Sequence, residues 1–398
     1  MISSIRKEFN AHFSEEVYKK FIEELNQVHP NQLEFRVAET PIFIDKIFTA
    51  KLIDTCEFII DIIETEEYKN VSERAIPEQY RVKNETPHSN FIAFDFGICI
   101  NSDGDLEPQL IEMQGFPTLF AYQILNNQLV QKHFSISEKY SCYLNNFNDA
   151  SYTKLLQEII IGSYKPEEVI LLEIFPEKQK TRIDFSCTEE ILKIKVVCLT
   201  KLIVEENNLF YLNNGIKTQI KRIYNRIIFD ELEQQSKEIQ EKSKFLFEEI
   251  NVEWVPHPNW FYKISKFSLP FIKHPYVPKT YFLNELKQIP LDLENYVLKP
   301  LFSFAGQGVI IDITLKDIEN IKDPQNWILQ QKVTYANVIE TPTGPAKAEI
   351  RIFYFGKDGD KRPIATNNLA RLSKGKMIGV RYNKDKDWVG GTLAMFEK

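Results

Sequence analysis

Cysteine is scarce in this 398-residue chain and follows no pattern of a metal site or a disulfide framework. The five cysteines are odd in number, scattered and mostly set in apolar runs, and no two of them form a Cys-x-x-Cys pair. This spacing argues against a zinc site and against paired disulfides, and it favours buried free thiols in a reducing compartment. A cytoplasmic location is therefore expected.

Long apolar runs and an excess of positive charge are also missing. No run approaches the roughly 20 apolar residues that a membrane-spanning helix needs, and the first residues lack the apolar core of a signal peptide. The net charge of -7 argues against a general binder of nucleic acid or of anionic membranes. Hydrophobic residues make up 43% and charged residues 26%, which is typical of a globular protein.

Familiar catalytic signatures are absent as well. The sequence contains no Gly-x-x-x-x-Gly-Lys-Ser/Thr loop of the Walker type. Its six histidines are dispersed, and no Cys/His or Ser/His arrangement indicates nucleophilic catalysis. No internal repeat is visible, which argues against a solenoid.

The hydrophobic pattern predicts a mixed α/β (α+β) fold. Apolar residues four positions apart predict a helix over 5–21, and a second helical stretch is predicted over 41–68. From residue 91 the hydrophobic pattern is no longer helical. A strand over 91–100, a turn and a return strand over 108–114 form a predicted hairpin. A helix over 118–134 is predicted to follow.

The middle and the last third of the chain differ in their predicted sheets. Short apolar runs at 169–175 and 194–199, separated by a helical stretch at 187–193, are typical of buried parallel strands. A strand at 220–227 and a surface helix at 231–244 follow. The last third is predicted to be antiparallel, with a helix near 315–321 and strands over 296–299, 309–313, 327–331, 348–355 and 362–372.

Two lysines and a glycine loop in the last third are candidates for phosphate binding. Lys299 ends a predicted strand and supplies a fixed charge, and the loop after it can close backbone N–H groups over phosphate oxygens. Lys266 precedes that strand. The alternatives are an ordinary turn for the glycines and a surface helix position for Lys266. The loop residues of interest are Ser303, Gly306, Gln307 and Gly308.

Charged residues on two neighbouring predicted strands could balance a transferring phosphoryl group. Glu349 and Arg351 point to the same face of one strand, and Arg371 lies on the next one. Two arginines on one sheet face can neutralise a phosphoryl group. The alternative is an exposed cross-strand ion pair.

The front hairpin offers oxygen ligands. Asp95 lies on its first strand, and Glu112 and Gln114 share a face of its second strand. Hard oxygen ligands on one rigid sheet suit Mg²⁺ that bridges nucleotide phosphates. The alternative is a solvated sheet face.

In their order along the chain these motifs resemble the ATP-grasp superfamily. The resemblance runs from a first lysine, through a strand lysine with a glycine loop and a hinge strand that hydrogen-bonds adenine, to an acid-x-Arg pair and a second arginine. A tail from Asn383 to Gly390 and Gly391 resembles the end of that series. The matching residues are Lys266, Lys299, Ser303, Gly306, Gln307, Gly308, Gln330, Gln331, Val333, Glu349, Arg351 and Arg371.

The metal motif stands at the front of the chain, although it usually comes last in that superfamily. Asp95, Glu112 and Gln114 resemble the Asp strand and the Glu-x-Asn motif, so the order resembles the circularly permuted ATP-grasp proteins, including the synthetase domain of the glutathionylspermidine synthase family. Gln114 stands where that family has asparagine, and Ala93 stands where it tends to have an arginine.

The resemblance implies a circularly permuted ATP-grasp fold with a Rossmann-like pre-ATP-grasp domain. The implied segments are an N-terminal helical region at 1–88, the permuted metal-binding part at 89–150, the pre-ATP-grasp domain at 151–258 and the nucleotide-binding subdomains at 259–398.

The implied function is ATP-dependent ligation of a carboxylate to an amine through an acyl phosphate. ATP and Mg²⁺ would be the cofactors, and a small-molecule or peptide carboxylate and an amine would be the partners, with neither nucleic acid nor membrane. Lys266 and Lys299 would bind phosphates, the glycine loop would cover the γ-phosphate, and Arg351 and Arg371 would contact the transferring group. A nucleotide-binding protein without ligation is the alternative, and a phosphotransferase acting through His257 is a weaker one.

Overall fold

The computed structural model describes residues 1–303, 306–375, 378, 383 and 385–398. None of the helices in this part of the chain is both long and apolar enough to cross a bilayer. The helices are α1 Ser3–His12, α2 Glu15–Val28, α3 Lys46–Ile63, α4 Glu66–Ser72, α5 Phe120–His133, α6 Asp149–Ile160, α7 Arg182–Leu192, α8 Phe229–Leu232, α9 Lys237–Ser243, α10 Trp260–Lys263 and α11 Leu315–Glu319.

The strands form several separate sheets. They are β1 Ile42–Ile44, β2 Phe91–Ile100, β3 Leu106–Gln114, β4 Tyr140–Ser141, β5 Val169–Glu173, β6 Lys195–Cys198, β7 Ile203–Glu205, β8 Asn208–Asn213, β9 Ile216–Ile220, β10 Arg222–Asn225, β11 Glu253–Val255, β12 Thr280–Phe282, β13 Tyr296–Pro300, β14 Trp327–Gln331, β15 Lys347–Phe355, β16 Ile364–Ser373, β17 Gly390–Thr392 and β18 Ala394–Glu397.

A five-stranded antiparallel sheet in the order β17-β16-β15-β2-β3 joins the front hairpin to the last third of the chain. Strand β2 is buried on both faces except at its last residue. Because side chains alternate across a strand, Ile92 and Phe94 pack into one hydrophobic core, and Phe91 and Ala93 pack into a second one. Asp95 follows on the second face, so that face changes from apolar to charged within one strand.

A four-stranded sheet in the order β11-β10-β5-β6 is parallel throughout. Strand β5 is fully buried along its length, as expected for a strand covered on both faces. The prediction that these strands are parallel is confirmed, whereas β6 at the edge of the sheet is only partly buried. The carboxyl ends of β5 and β10 meet at one edge of the sheet, after Glu173 and Asn225.

The remaining sheets are small. The antiparallel sheet β12-β14-β13 carries Lys299 on β13, and β7-β8-β9 forms a meander. In the third small sheet, β1 pairs with β18 in parallel, with Ile42 opposite Ala394. The N-terminal region is therefore hydrogen-bonded to the final strand of the chain.

A short extended segment of the N-terminal region, residues 36–38, also lies against β17. The Ala38 N–H donates to the Gly391 carbonyl at 2.9 Å, and the Gly391 N–H donates to the Arg36 carbonyl at 2.9 Å. Gly390 has a φ of +123°, and a Cβ on it would lie 2.3 Å from the Arg36 carbonyl oxygen. Only glycine allows the two backbones to approach this closely.

Several predicted elements differ from the structure in extent. The stretch predicted as one helix over 41–68 contains β1, α3 and α4, because Asp45 caps α3 by accepting from the Phe48 N–H at 2.8 Å and Thr65 caps α4. The helix predicted over 5–21 is broken between α1 and α2. In the strand predicted over 309–313, only Ile310 pairs, through an isolated bridge to Leu298.

We expect Gly390→Ala to lower the free energy of unfolding by roughly 2–3 kcal/mol, because it adds a side chain against a backbone oxygen at a strained φ. Gly391→Ala is the matched control, since its Cβ would lie 3.7 Å from the nearest atom. Thermal unfolding of both variants checks this. Equal melting temperatures would show that the contact with residues 36–38 is not tight in solution.

Candidate active site

A cleft of about 1520 Å³ lies where the five-stranded sheet, the small sheet that carries Lys299 and the carboxyl edge of the parallel sheet meet. Arg351 on β15, Lys299 on β13 and Glu173 on β5 all line it. This volume lies above the usual range for a single small-molecule pocket, which is about 300–1,000 Å³.

The register of the five-stranded sheet places charged side chains in adjacent pairs on one face. Asp95 on β2 lies opposite Glu112 on β3 and also opposite Arg351 on β15. Glu349 lies opposite Arg371 on β16. Together with two lysines they form what we call the charged cluster: Asp95, Glu112, Lys266, Lys299, Glu349, Arg351 and Arg371.

Arg351 and Asp95 form a buried two-point pair. The Arg351 Nε donates to Asp95 Oδ1 at 2.5 Å and an Arg351 terminal nitrogen donates to Oδ2 at 2.6 Å. Burial raises the pKa of Asp95 to about 6, while the positive charge of Arg351 opposes that rise. Arg371 pairs with Glu349 and lies 3.7 Å from Asp95, so both arginines are held in place by carboxylates.

Glu112 is a carboxylate that faces the cleft. Its Oε1 accepts from the Gln114 amide at 2.9 Å, and its Oε2 lies 3.5 Å from the Lys266 Nζ. Burial acts to raise the pKa of Glu112, but the attraction of the cluster's cations, Lys266 first, outweighs it and lowers the pKa to about 2. Glu112 is therefore ionised at neutral pH.

Lys299 joins the last third of the chain to the front hairpin. Its buried Nζ donates to Gln330 Oε1 at 2.5 Å and to the Ile111 carbonyl on β3 at 3.1 Å. Burial lowers the pKa of Lys299 to about 8, and the carboxylate of Glu112 opposes that fall. Lys266 is also buried and donates to the Ser303 carbonyl at 2.8 Å.

Most of the residues singled out in the sequence line this cleft. Three of the predicted residues do not line it: Asp95, Gly308 and Gln331. Asp95 lies behind Arg351, and the Gln331 backbone N–H donates to the Lys279 carbonyl. The predicted residues that line the cleft are Glu112, Gln114, Lys266, Lys299, Ser303, Gly306, Gln307, Gln330, Val333, Arg351 and Arg371.

Tyr335 is a site residue that the sequence analysis missed. It lines the cleft and donates from its hydroxyl to Glu349 Oε2 at 2.8 Å. It lies between β14 and β15 in a segment without regular structure, where no periodicity marks it. Glu349, which the sequence analysis named as the acid of the acid-x-Arg motif without giving it a role, also faces the cleft.

Oxygen donors for a divalent cation are present, and of the predicted ligands Glu112 and Gln114 line the cleft. Within the described ranges, no three His, Cys, Asp or Glu side chains form a metal-binding group. Both oxygens of Asp95 accept from Arg351, so Asp95 does not fit as a ligand in this arrangement. The carboxylate of Glu112 and the amide of Gln114 are of the type that suits Mg²⁺. Glu349 also lines the cleft, but its two oxygens accept from Arg371 and Tyr335.

Comparison with known proteins gives a match in structure alone. No family model matches the chain, and no curated protein matches it. Among the solved structures that match is a glutathione synthetase-like effector from Globodera pallida in its apo form, with 10% sequence identity, a TM-score of 0.59, and coverage of 96% of this chain and 97% of that chain.

At this identity the likeness shows the fold. The predicted mixed α/β architecture is confirmed, and the chain shares the fold of that glutathione synthetase-like effector. The circular permutation, the relation to glutathionylspermidine synthase, the Rossmann-like domain and the four segment boundaries stay predictions.

We expect Asp95→Asn to destabilise the protein by about 3 kcal/mol, because it leaves Arg351 buried without its ionised partner. Asp103→Asn removes a carboxylate from an exposed turn and should leave stability unchanged. The midpoint of urea unfolding measures both effects. A midpoint for Asp95→Asn equal to that of the control would mean that the pair does not support the sheet.

Proposed function

We propose that the chain is an ATP-dependent carboxylate–amine ligase that works through an acyl phosphate. One observation carries the proposal: four cations and two carboxylates of the charged cluster line one cleft, and its third carboxylate, Asp95, lies behind Arg351. Four cations against three carboxylates leave one net positive charge for a polyanionic substrate. Phosphoryl transfer is catalysed mainly by such positioning and charge balance.

The lysines are the proposed phosphate contacts. Lys299 and Lys266 are buried and bonded to oxygen acceptors of the protein, which ATP phosphates would replace. The buried amide nitrogen of Gln330 has no hydrogen-bond partner within the described part of the chain, and a ligand oxygen would satisfy it. Gly306 and Gln307 line the same end of the cleft, and Val333 is the proposed contact for the base.

The reaction then has two steps. A carboxylate oxygen of the first substrate attacks the γ-phosphorus of ATP, and ADP leaves. The amine nitrogen next attacks the acyl carbon, the bond from carbon to the phosphate oxygen breaks, and phosphate leaves. Arg351 and Arg371, held by Asp95 and Glu349, are placed to offset charge on the transferred group.

Mg²⁺ is the proposed second cofactor, and when bound it would offset phosphate charge beyond what the lysines supply. Glu112 and Gln114 are the proposed ligands because they line the cleft. Asp95 is assigned instead to holding Arg351.

A nucleotide-binding protein without ligation is the second candidate. The observation that favours it is that Gln114 directs its amide nitrogen toward Glu112 at 2.9 Å, so this side chain would have to turn to present its oxygen to a metal. Such a protein would bind ATP tightly and release no ADP with any substrate pair.

Glu112→Gln tests the ligase proposal. We expect it to abolish Mg²⁺-dependent ADP release, because it removes the charge of a carboxylate that faces the cleft and keeps the shape of the side chain. ADP release is measured against a panel of amino acids, short peptides and polyamines. Glu107→Gln, on the same strand but outside the cleft lining, is the control. Turnover that survives Glu112→Gln with its metal dependence intact would place the metal site elsewhere.

The charge state of Lys299 predicts a pH dependence of ATP binding. Because its pKa is about 8, Lys299 is charged below that pH and loses its charge as the pH rises through it. We expect the affinity for a non-hydrolysable ATP analogue, measured by calorimetry, to fall between pH 7 and pH 9. Lys299→Ala should weaken binding by roughly 2–4 kcal/mol at pH 7.

Two variants serve as controls. Lys299→Arg keeps its charge across this range, so its binding should depend little on pH, and Lys316→Ala removes an exposed lysine and should bind normally. An affinity unchanged in Lys299→Ala would remove this lysine from the nucleotide site.

A further inference from the structure

Glu173 is a buried carboxyl group on the cleft that lies outside the charged cluster. It is the last residue of β5, at the carboxyl edge of the parallel sheet, and it lines the cleft although only 6% of it is exposed. Ligands of parallel sheets bind at the carboxyl ends of the strands. The proposed phosphate chemistry leaves this end of the cleft without an occupant.

The groups around Glu173 come from each element packed against it. Its Oε1 accepts from the Ile174 N–H at 2.6 Å. Cys198 lies opposite it on β6, Arg226 follows β10, and Glu231 belongs to α8. Within the part of the chain that the structure describes, no salt bridge within 4.0 Å reaches Glu173.

Arg226 is the nearest source of positive charge, but other groups hold it. One of its terminal nitrogens donates to the Pro117 carbonyl at 2.7 Å, and its guanidinium lies 4.6 Å from the centre of the Phe116 ring. Burial therefore has the largest effect on Glu173 and raises its pKa to about 8. The positive charge of Arg226 opposes this rise, and the negative charge of Glu231 adds to it. A buried carboxyl without a paired cation is costly to ionise until a cation arrives.

The segment that anchors Arg226 also connects Glu173 to the charged cluster. Gln114 ends β3, and the chain then runs through Gly115, Phe116 and Thr118, all of which line the cleft. One continuous cleft therefore contains a charged end and, past this segment, an end with a buried carboxyl group.

We propose that Glu173 binds the amino group of the amine substrate, a primary ammonium ion, at the carboxyl edge of the parallel sheet. That the bound ammonium ion is a substrate rests on the proposed ligase function. The ammonium ion donates N–H bonds to the ionised carboxylate and transfers one proton to it. The neutral nitrogen then attacks the acyl carbon, phosphate leaves, and the second proton departs with the phosphate.

Propylammonium chloride is the probe, added to the full chain without nucleotide. Because Glu173 is largely protonated at pH 7, binding an ammonium ion must release close to one proton, about 0.9 for a pKa near 8. Calorimetry at pH 7 in two buffers of different ionisation enthalpy measures this release. At pH 9 we expect the release to fall to about 0.1 and the affinity to rise roughly tenfold.

Tetramethylammonium, which has the same charge and no N–H, should bind much more weakly. Glu173→Gln keeps an oxygen that can accept from the Ile174 N–H, and it should lose propylammonium binding and the proton release together. Glu177→Gln, an exposed neighbour on the following turn, should keep both.

Three results would overturn the proposal: no binding of propylammonium to the wild-type chain, binding without proton release at pH 7, or equal binding by Glu173→Gln. The proton release is measured on the wild-type chain and stays decisive if Glu173→Gln does not fold. Failure of the ligase function is a separate result, because ADP release can be absent while propylammonium still binds with release of a proton.

Discussion

The buried pair between Arg351 and Asp95 is the contact on which the arrangement of the cleft depends. Removing two charges from water has a high free-energy cost, which only a close pair with two hydrogen bonds offsets. The bonds of 2.5 and 2.6 Å between Arg351 and Asp95 provide that geometry. These residues are 256 positions apart in the sequence. Their pairing therefore requires β2 and β15 to lie side by side, and β2 brings its hairpin partner β3, with Glu112, to the same face.

Burial acts to raise the pKa of Glu112 at one end of the cleft and of Glu173 at the other, and the nearby cations decide the net result. At the charged end, the cations outweigh the effect of burial on Glu112 and lower its pKa to about 2. Burial lowers the pKa of Lys299 to about 8. At the end formed by the parallel sheet, Glu173 has no paired cation and its pKa rises to about 8. One end is thus suited to a polyanion, and the other is suited to a group that brings positive charge and gives up a proton.

The predictions from sequence were best where a local pattern decides the structure. The strand predicted over 91–100 and the turn after it correspond to β2 and the β2–β3 hairpin, and the run at 327–331 is β14. The predictions were poorer where a helix cap or a distant contact decides the structure. Asp45, for example, caps α3 and so divides the helix predicted over 41–68. Position relative to the cleft was also not predicted for every motif residue, because Gln331 and Gly308 lie in the predicted motifs but not on the cleft lining.

The sequence by itself determined which chemical groups are available: two lysines, two arginines and oxygen donors on strands with a period of two residues. It also determined that β2 and β3 form a hairpin, whereas a register shift between Asp95 and Phe96, which the turn does not dictate, places Asp95 opposite Glu112. Only the tertiary structure decided that Asp95 is bound by Arg351, that Tyr335 reaches Glu349, and that Glu173 lies on the same cleft. The physical reason is that long-range strand pairing and burial depend on the whole fold, and burial sets which charges are paired and which protons are held.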